Sequence, residues 1–196
     1  MILKKVLLVL ILFLLGALVG PLGDLFHLLS HTTVYPQEKY WLYFFDIMPF
    51  LVPLLFGSAT LMIGISHGCF YRIFHKTFLP CTKNIICFVF GFTYFVLFYS
   101  LSGYLPMPHF FLAIAFIVLW IMMERTWLGL LLALLTAAAG TAFEILLVRN
   151  GVFFYKEPVN SLFGVASWLP WLYAIASISV GNFSQYLKIK LYGTLN

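Results

Sequence analysis

The sequence predicts an all-α integral membrane protein built as a bundle of six transmembrane helices. Hydrophobic residues make up 63% of the 196 residues and charged residues only 9%, whereas soluble globular domains contain about 25% charged residues. Two apolar runs near the C-terminus, residues 127–148 and 168–187, are each about 20 residues long, which is enough to cross a bilayer as a helix. At this length we expect one domain that covers residues 1–196.

Four further apolar segments precede these two runs. The first covers residues 6–19 and continues beyond them, which makes it longer than the apolar core of a signal peptide. We therefore expect a transmembrane helix that is not cleaved from the protein. The second covers about residues 44–65 and contains Pro49 and Pro53, which predict a kink. The third and fourth are expected at about residues 85–101 and 110–123.

Basic residues are divided unequally between the two ends of such a bundle. With both termini on one side, three of the 11 Lys and Arg residues fall opposite, namely Lys39, Arg149 and Lys156. The other eight share the side of the termini: Lys4, Lys5, Arg72, Lys76, Lys83, Arg125, Lys188 and Lys190. Because the basic side of a membrane protein faces the cytoplasm, both termini are predicted to be cytoplasmic. The distribution of the net charge of +5 therefore indicates the orientation of the protein in the membrane, and we expect no nucleic-acid partner.

One polar segment, "DLFHLLSH", has the spacing of a metal site. Asp24, His27 and His31 recur at i, i+3 and i+7, so they could share one helix face and bind a metal ion. No matching ligand motif occurs on another helix, and polar residues at a helix end are typical of the membrane interface. We therefore expect no metal, no cofactor and no catalytic residue. The alternative is an intramembrane metal-dependent lipid-modifying enzyme that uses these three residues, or a small transporter.

Polar and small residues share one face of the fifth segment. Thr136, Gly140 and Glu144 are spaced by four residues. Glu144 lies well inside the segment, where a carboxyl group is costly and indicates either a ligand pocket or an interhelical hydrogen bond. The small residues before it allow close helix packing or leave space for a ligand, and packing is the commoner outcome. Asp46, near the start of the second segment, is interpreted mainly as interfacial.

The last two segments contain the stretches "RNGVFFY", "SWLP" and "VGN" in this order. In these stretches they resemble the last two helices of the Insig family, endoplasmic-reticulum membrane proteins that take part in sterol sensing. The stretch "TVYPQE" and the Val-Pro run followed by Gly57 and Gly64 are also similar to family sequences. The motif residues that carry the resemblance are Asn150, Gly151, Val152, Tyr155, Ser167, Trp168, Leu169, Pro170, Val180, Gly181 and Asn182.

The resemblance implies a non-enzymatic lipid sensor or regulator with a lipid-accessible cavity inside the bundle. Its ligand would be a lipid or sterol-like molecule, with diacylglycerol as one candidate, and other membrane proteins would contact the helix faces. We place the ligand between the second, third and fifth helices, with Asp46, Thr136, Gly140 and Glu144 as its contacts. Regulation of sterol-sensing partners is not implied, because no acidic residue is found near Leu101, where we expect the family's important Asp. The short tails favour a prokaryotic-type homologue in the cytoplasmic membrane over the endoplasmic reticulum.

Overall fold

The computed structural model describes residues 2–44, 47–74 and 84–193. Within these ranges the chain forms six α-helices, α1 (Ile2–Leu29), α2 (Leu51–Ile73), α3 (Ile85–Leu101), α4 (Pro108–Met123), α5 (Trp127–Arg149) and α6 (Leu169–Tyr192). By length and composition α1, α2 and α5 can cross a membrane, while α3 and α4 are shorter apolar helices. The predicted six-helix transmembrane fold is confirmed.

The helix α6 lies at the centre of the bundle. It packs against each of the other five helices, and every residue from 174 to 185 is buried. Protein rather than lipid surrounds this segment, and two of its serines find partners on neighbouring backbones. Ser179 donates to the carbonyl of Gly91 at 2.9 Å and Ser184 to that of Gly64 at 2.8 Å. These bonds tie α6 to α3 and α2.

The helices α1 and α2 pack closely through glycine. A Cβ atom at Gly57 on α2 would lie only 2.9 Å from the carbonyl oxygen of Phe13 on α1. A backbone atom cannot move aside as a side chain can, so this contact requires glycine. Small residues serve the same purpose in other membrane-helix contacts, where they allow two backbones to approach.

Short strands connect the helices at the end opposite the termini. The strand β1 (Thr33–Val34) pairs antiparallel with β4 (Phe154–Tyr155), which lies between α5 and α6. The strands β2 (Tyr43–Phe44) and β3 (Met48–Pro49) form a hairpin before α2. The β1–β4 pair joins the connector after α1 to the connector after α5.

The hairpin shows that two of our predictions for the second helix were wrong. Pro49 lies in β3 rather than in the helix, which begins only at Leu51. Pro53 falls in the first turn of α2, where a missing N–H breaks no intrahelical bond, so neither proline kinks the helix. The first helix also extends past residues 6–19 at both ends, since α1 begins at Ile2 and includes Asp24 and His27. The predicted bounds of α3 are confirmed, and α4 and α5 differ by at most two residues.

We predict that Gly57→Leu destabilises the bundle, because the added side chain meets the backbone of α1. Overpacking of this kind costs about 1–3 kcal/mol. The matched control is Ser58→Leu, since Ser58 is the next residue on α2 and is exposed. The midpoint temperature of unfolding in detergent should fall for Gly57→Leu and stay near the wild-type value for Ser58→Leu. Equal midpoints for both variants would show that the α1–α2 contact does not require glycine.

Candidate lipid-binding cavity

Five helices surround a cavity whose volume is about 110 Å³. Its walls come from α1, α2, α3, α5 and α6 and from the two connectors joined by the β1–β4 pair. Most of the lining is apolar or aromatic, with Phe56, Phe92, Phe95, Phe143 and Phe153 among its rings. The bundle therefore has an internal space that is apolar over most of its surface.

Asp24 lines this cavity from α1. Its side chain is buried, and its carboxylate accepts a hydrogen bond from the Tyr35 hydroxyl at 2.8 Å. The Tyr99 hydroxyl, from α3, donates to the other carboxylate oxygen at 3.5 Å. Tyr35 follows β1, so the strand pairing holds this donor over the end of α1.

Glu144 lines the same cavity from α5. Its carboxylate accepts a hydrogen bond from Tyr155 on β4 at 2.6 Å and another from Tyr173 on α6 at 2.7 Å. Glu144 therefore makes the interhelical hydrogen bond that the sequence indicates, and its role in a ligand pocket stays a prediction.

Two carboxyl groups and four tyrosine hydroxyls form what we call the polar end of the cavity, made of Asp24, Glu144, Tyr35, Tyr99, Tyr155 and Tyr173. Both carboxyl groups line the same cavity. Burial, and then the nearby carboxylate, raise the pKa of Tyr35 and of Tyr155 well above the usual value. Both phenols therefore stay protonated and act as donors.

The possible metal ligands in "DLFHLLSH" do not converge. His27 Nε2 lies 2.7 Å from Ser102 Oγ and 3.1 Å from the Tyr99 carbonyl oxygen, at the end of α3. His31 is exposed and has a positive φ of 57°. Across the described ranges, no group of three His, Cys, Asp or Glu residues could hold a metal ion. The interfacial interpretation was wrong for Asp24 and His27, which are only 5% and 1% exposed.

The four residues predicted to contact a lipid lie in different places. Glu144 lines the cavity, whereas Thr136 and Gly140 lie where α5 packs on α6. Thr136 Oγ1 donates to Ser177 Oγ at 3.1 Å, and Gly140 packs against the ring of Tyr173. Asp46 lies outside the described residues.

Sequence reasoning predicted none of the four tyrosines as cavity residues and missed the walls made by α1 and α6. Tyr155 and Tyr173 bond Glu144, and Trp168 is buried 5.5 Å from the His27 ring. The available signal was Glu144 itself, since a buried carboxyl group needs donors and tyrosine supplies them.

Several motif residues have structural roles that the geometry explains. Asn150 caps the end of α5, where its Nδ2 donates to the Leu146 carbonyl at 2.7 Å, and Gly151 follows with a left-handed φ of 64°. Gly181 leaves room for the His67 ring. Asn182 Nδ2 donates to the carboxylate of Glu124 at 3.3 Å.

Glu124 forms a second buried polar cluster, between α4 and α5. It accepts hydrogen bonds from Tyr71 and from Thr126 as well as from Asn182. Burial raises the pKa of Glu124, and these three donors act in the opposite direction. The cluster joins the α4–α5 corner to α2 and α6.

Comparisons with known proteins agree with the fold. The chain is 26% identical over 186 residues to the insulin-induced gene 1 protein of Danio rerio, an alignment that covers 92% of this chain and 72% of the relative. A crystal structure of the mycobacterial Insig homologue MvINS from Mycobacterium vanbaalenii matches with a TM-score of 0.78 and 26% identity, over 91% of this chain and 92% of that one. A crystal structure of a cross-linked MvINS trimer gives a TM-score of 0.79, 26% identity and coverage of 92% and 93%. No protein-family model matches the chain.

We predict that Tyr173 and Glu144 are coupled in their contributions to stability. Tyr173→Phe removes a donor from a buried carboxylate, which costs about 1–3 kcal/mol. In a Glu144→Leu background the same change should cost much less, because no carboxylate remains to be satisfied. A double-mutant cycle on the midpoint of thermal unfolding measures the difference. Additive effects of the two substitutions would contradict the coupling.

Proposed function

Because the chain is an Insig homologue, we propose that it is a non-enzymatic membrane protein that binds a lipid or sterol-like molecule in its central cavity. Binding would make it a lipid sensor or regulator, as the resemblance implies. The observation that carries this proposal is the cavity itself, which is apolar along most of its walls and polar at one end. An amphipathic lipid has the same division between an apolar body and a polar head.

The location of the polar end supports a lipid that enters from one leaflet. Asp24 lies toward the end of α1, Tyr99 toward the end of α3 and Glu144 toward the end of α5, while Tyr35 and Tyr155 lie in the connectors. All are at the end opposite the termini. With both termini cytoplasmic, as predicted, a headgroup bound there would belong to a lipid of the opposite leaflet.

The size and opening of the cavity define how much of a lipid it would hold. A volume of about 110 Å³ is somewhat below the ~150 Å³ of a cavity that holds benzene. The head and the first carbons of a chain would therefore lie inside and the rest outside. Phe143 lines the cavity and is 52% exposed, so the part of the lipid outside the cavity would leave the bundle beside α5.

The predicted site residues take different parts in this proposal. Glu144 would contact the headgroup directly, and Gly140 would act by leaving room for the Tyr173 ring that donates to Glu144. Thr136 would hold α5 against α6 through Ser177. Contact between Asp46 and a ligand stays a prediction, as do diacylglycerol as ligand, contacts with other membrane proteins and a prokaryotic cytoplasmic membrane.

The geometry around the acids favours binding over catalysis. Asp24 and His27 are the pair most similar to a catalytic acid and base, but their side chains have different partners. Asp24 accepts hydrogen bonds from tyrosine hydroxyls at the cavity, and His27 bonds the end of α3. His27 is not among the residues that line the cavity. A ligand in the cavity would therefore meet hydrogen-bonding groups rather than a proton-transfer pair.

We predict that lipid co-purifies with the protein and that Ala59→Phe abolishes this retention. Ala59 lines the cavity from α2, so a ring at this position would fill the space that a chain needs. The control is Ser58→Phe, which adds the same ring to the neighbouring exposed position. Native mass spectrometry should find a lipid on the wild type and on Ser58→Phe, and at least about tenfold less on a folded Ala59→Phe protein. Equal lipid on both variants would contradict a ligand in this cavity.

A further inference from the structure

Two carboxyl groups face the polar end of the cavity without a basic partner among the residues that line it. Asp24 comes from α1 and Glu144 from α5. None of the described residues that line the cavity is Lys, Arg or His. The nearby ammonium group of Lys39 is exposed and donates to the Asn150 carbonyl oxygen instead.

The tyrosines satisfy these carboxylates only in part. A carboxylate has about four acceptor sites, and the hydroxyl groups of the polar end supply two donors to Asp24 and two to Glu144. Each hydroxyl donates once and carries no charge. Acceptor capacity therefore remains on both carboxyl groups, and a low-dielectric environment disfavours ionisation of both unless a positive charge lies beside them.

We propose that the polar end binds a protonated amine, so that the ligand is a cationic amphiphile whose ammonium group lies between Asp24 and Glu144. This inference rests on the proposed lipid-binding function and specifies the ligand's headgroup. An ammonium group supplies three N–H donors and one positive charge. The donors fill the free acceptor sites of the two carboxyl groups, and the charge stabilises their ionised form. A neutral hydroxyl group supplies a donor but no charge, and a phosphate or carboxylate head would be repelled.

The distribution of charged residues between the two ends of the bundle agrees with a cationic headgroup. Of the five acidic residues in the described ranges, only Glu124 lies at the end of the termini, where six of the described basic residues are found. At the opposite end the described ranges contain three basic residues, all exposed, whereas the two acids of the cavity are buried among tyrosines. A cationic headgroup is thus attracted to the end at which the cavity is polar.

Three probes with the same chain and different headgroups test the proposal. Purified protein in a fixed concentration of detergent at pH 7 is titrated with oleylamine, oleyl alcohol or oleic acid, and binding is followed by intrinsic fluorescence and by the thermal shift. An alkylamine is protonated at this pH, as lysine is. We expect oleylamine to bind at least about tenfold more tightly than oleyl alcohol, with oleic acid the weakest.

The variant Asp24→Asn/Glu144→Gln removes both ionisable groups and keeps one acceptor oxygen on each side chain for the tyrosines. It should reduce the advantage of oleylamine over oleyl alcohol to less than about threefold. The control, Glu38→Gln/Glu157→Gln, removes two exposed acids from connectors at the same end and should retain the full advantage. If the double cavity variant does not fold, Glu144→Gln alone should show a partial loss.

The possible outcomes separate this inference from the proposed function. Wild-type protein that binds oleyl alcohol as tightly as oleylamine overturns the amine proposal and leaves lipid binding in place. An advantage for the amine that survives in the cavity variant, or that is lost in the connector control, also overturns it. Failure of all three probes to bind, together with no co-purifying lipid, overturns both.

Discussion

The structure depends on one constraint, which is that a carboxyl group inside a membrane protein must be hydrogen-bonded by the protein itself. No water is available in the hydrocarbon core, so an unsatisfied polar group there costs several kcal/mol. Glu144 meets this constraint through Tyr155 and Tyr173, and Asp24 through Tyr35 and Tyr99. These bonds fix the two connectors over the bundle, and the β1–β4 pairing holds Tyr35 and Tyr155 in place.

Close packing holds the helices around the cavity. Glycine brings α1 and α2 into backbone contact at Gly57, and Ser179 and Ser184 of α6 donate to the backbones of α3 and α2. The cavity itself is lined mostly by apolar and aromatic side chains, together with the carboxyl groups of Asp24 and Glu144.

Sequence reasoning predicted the six helices because transmembrane segments follow from length and composition alone. It also identified Glu144 as exceptional, since a charged residue within an apolar span is costly. It did not predict the partners of Glu144. Tyr173 contacts Glu144 only because α6 has a particular orientation about its own axis where it packs on α5. In a helix that is apolar all round, hydrophobic periodicity does not reveal which face points inward.

Two other errors have equally local causes. Pro49 was placed in a helix because the apolar run around it is continuous, whereas the hairpin that contains it depends on the pairing of Phe44 with Met48. Asp24 and His27 were interpreted as interfacial because they precede a polar connector. Their burial depends on contacts with Tyr35, Tyr99 and Ser102. Tyr99 and Ser102 are distant from them in the sequence, and Tyr35 lies outside a helix. Helical periodicity therefore does not indicate these contacts.

The central claim is that the cavity is a lipid site with its headgroup position between Asp24 and Glu144. The most direct test is an experimental structure of the protein purified from its native bilayer, at a resolution that shows lipid density. The account predicts elongated density whose head lies within hydrogen-bonding distance of both carboxylates and whose chain leaves the bundle beside Phe143. A cavity closed by direct packing of its aromatic walls, or lipid density found only on the outer helix faces, would contradict it.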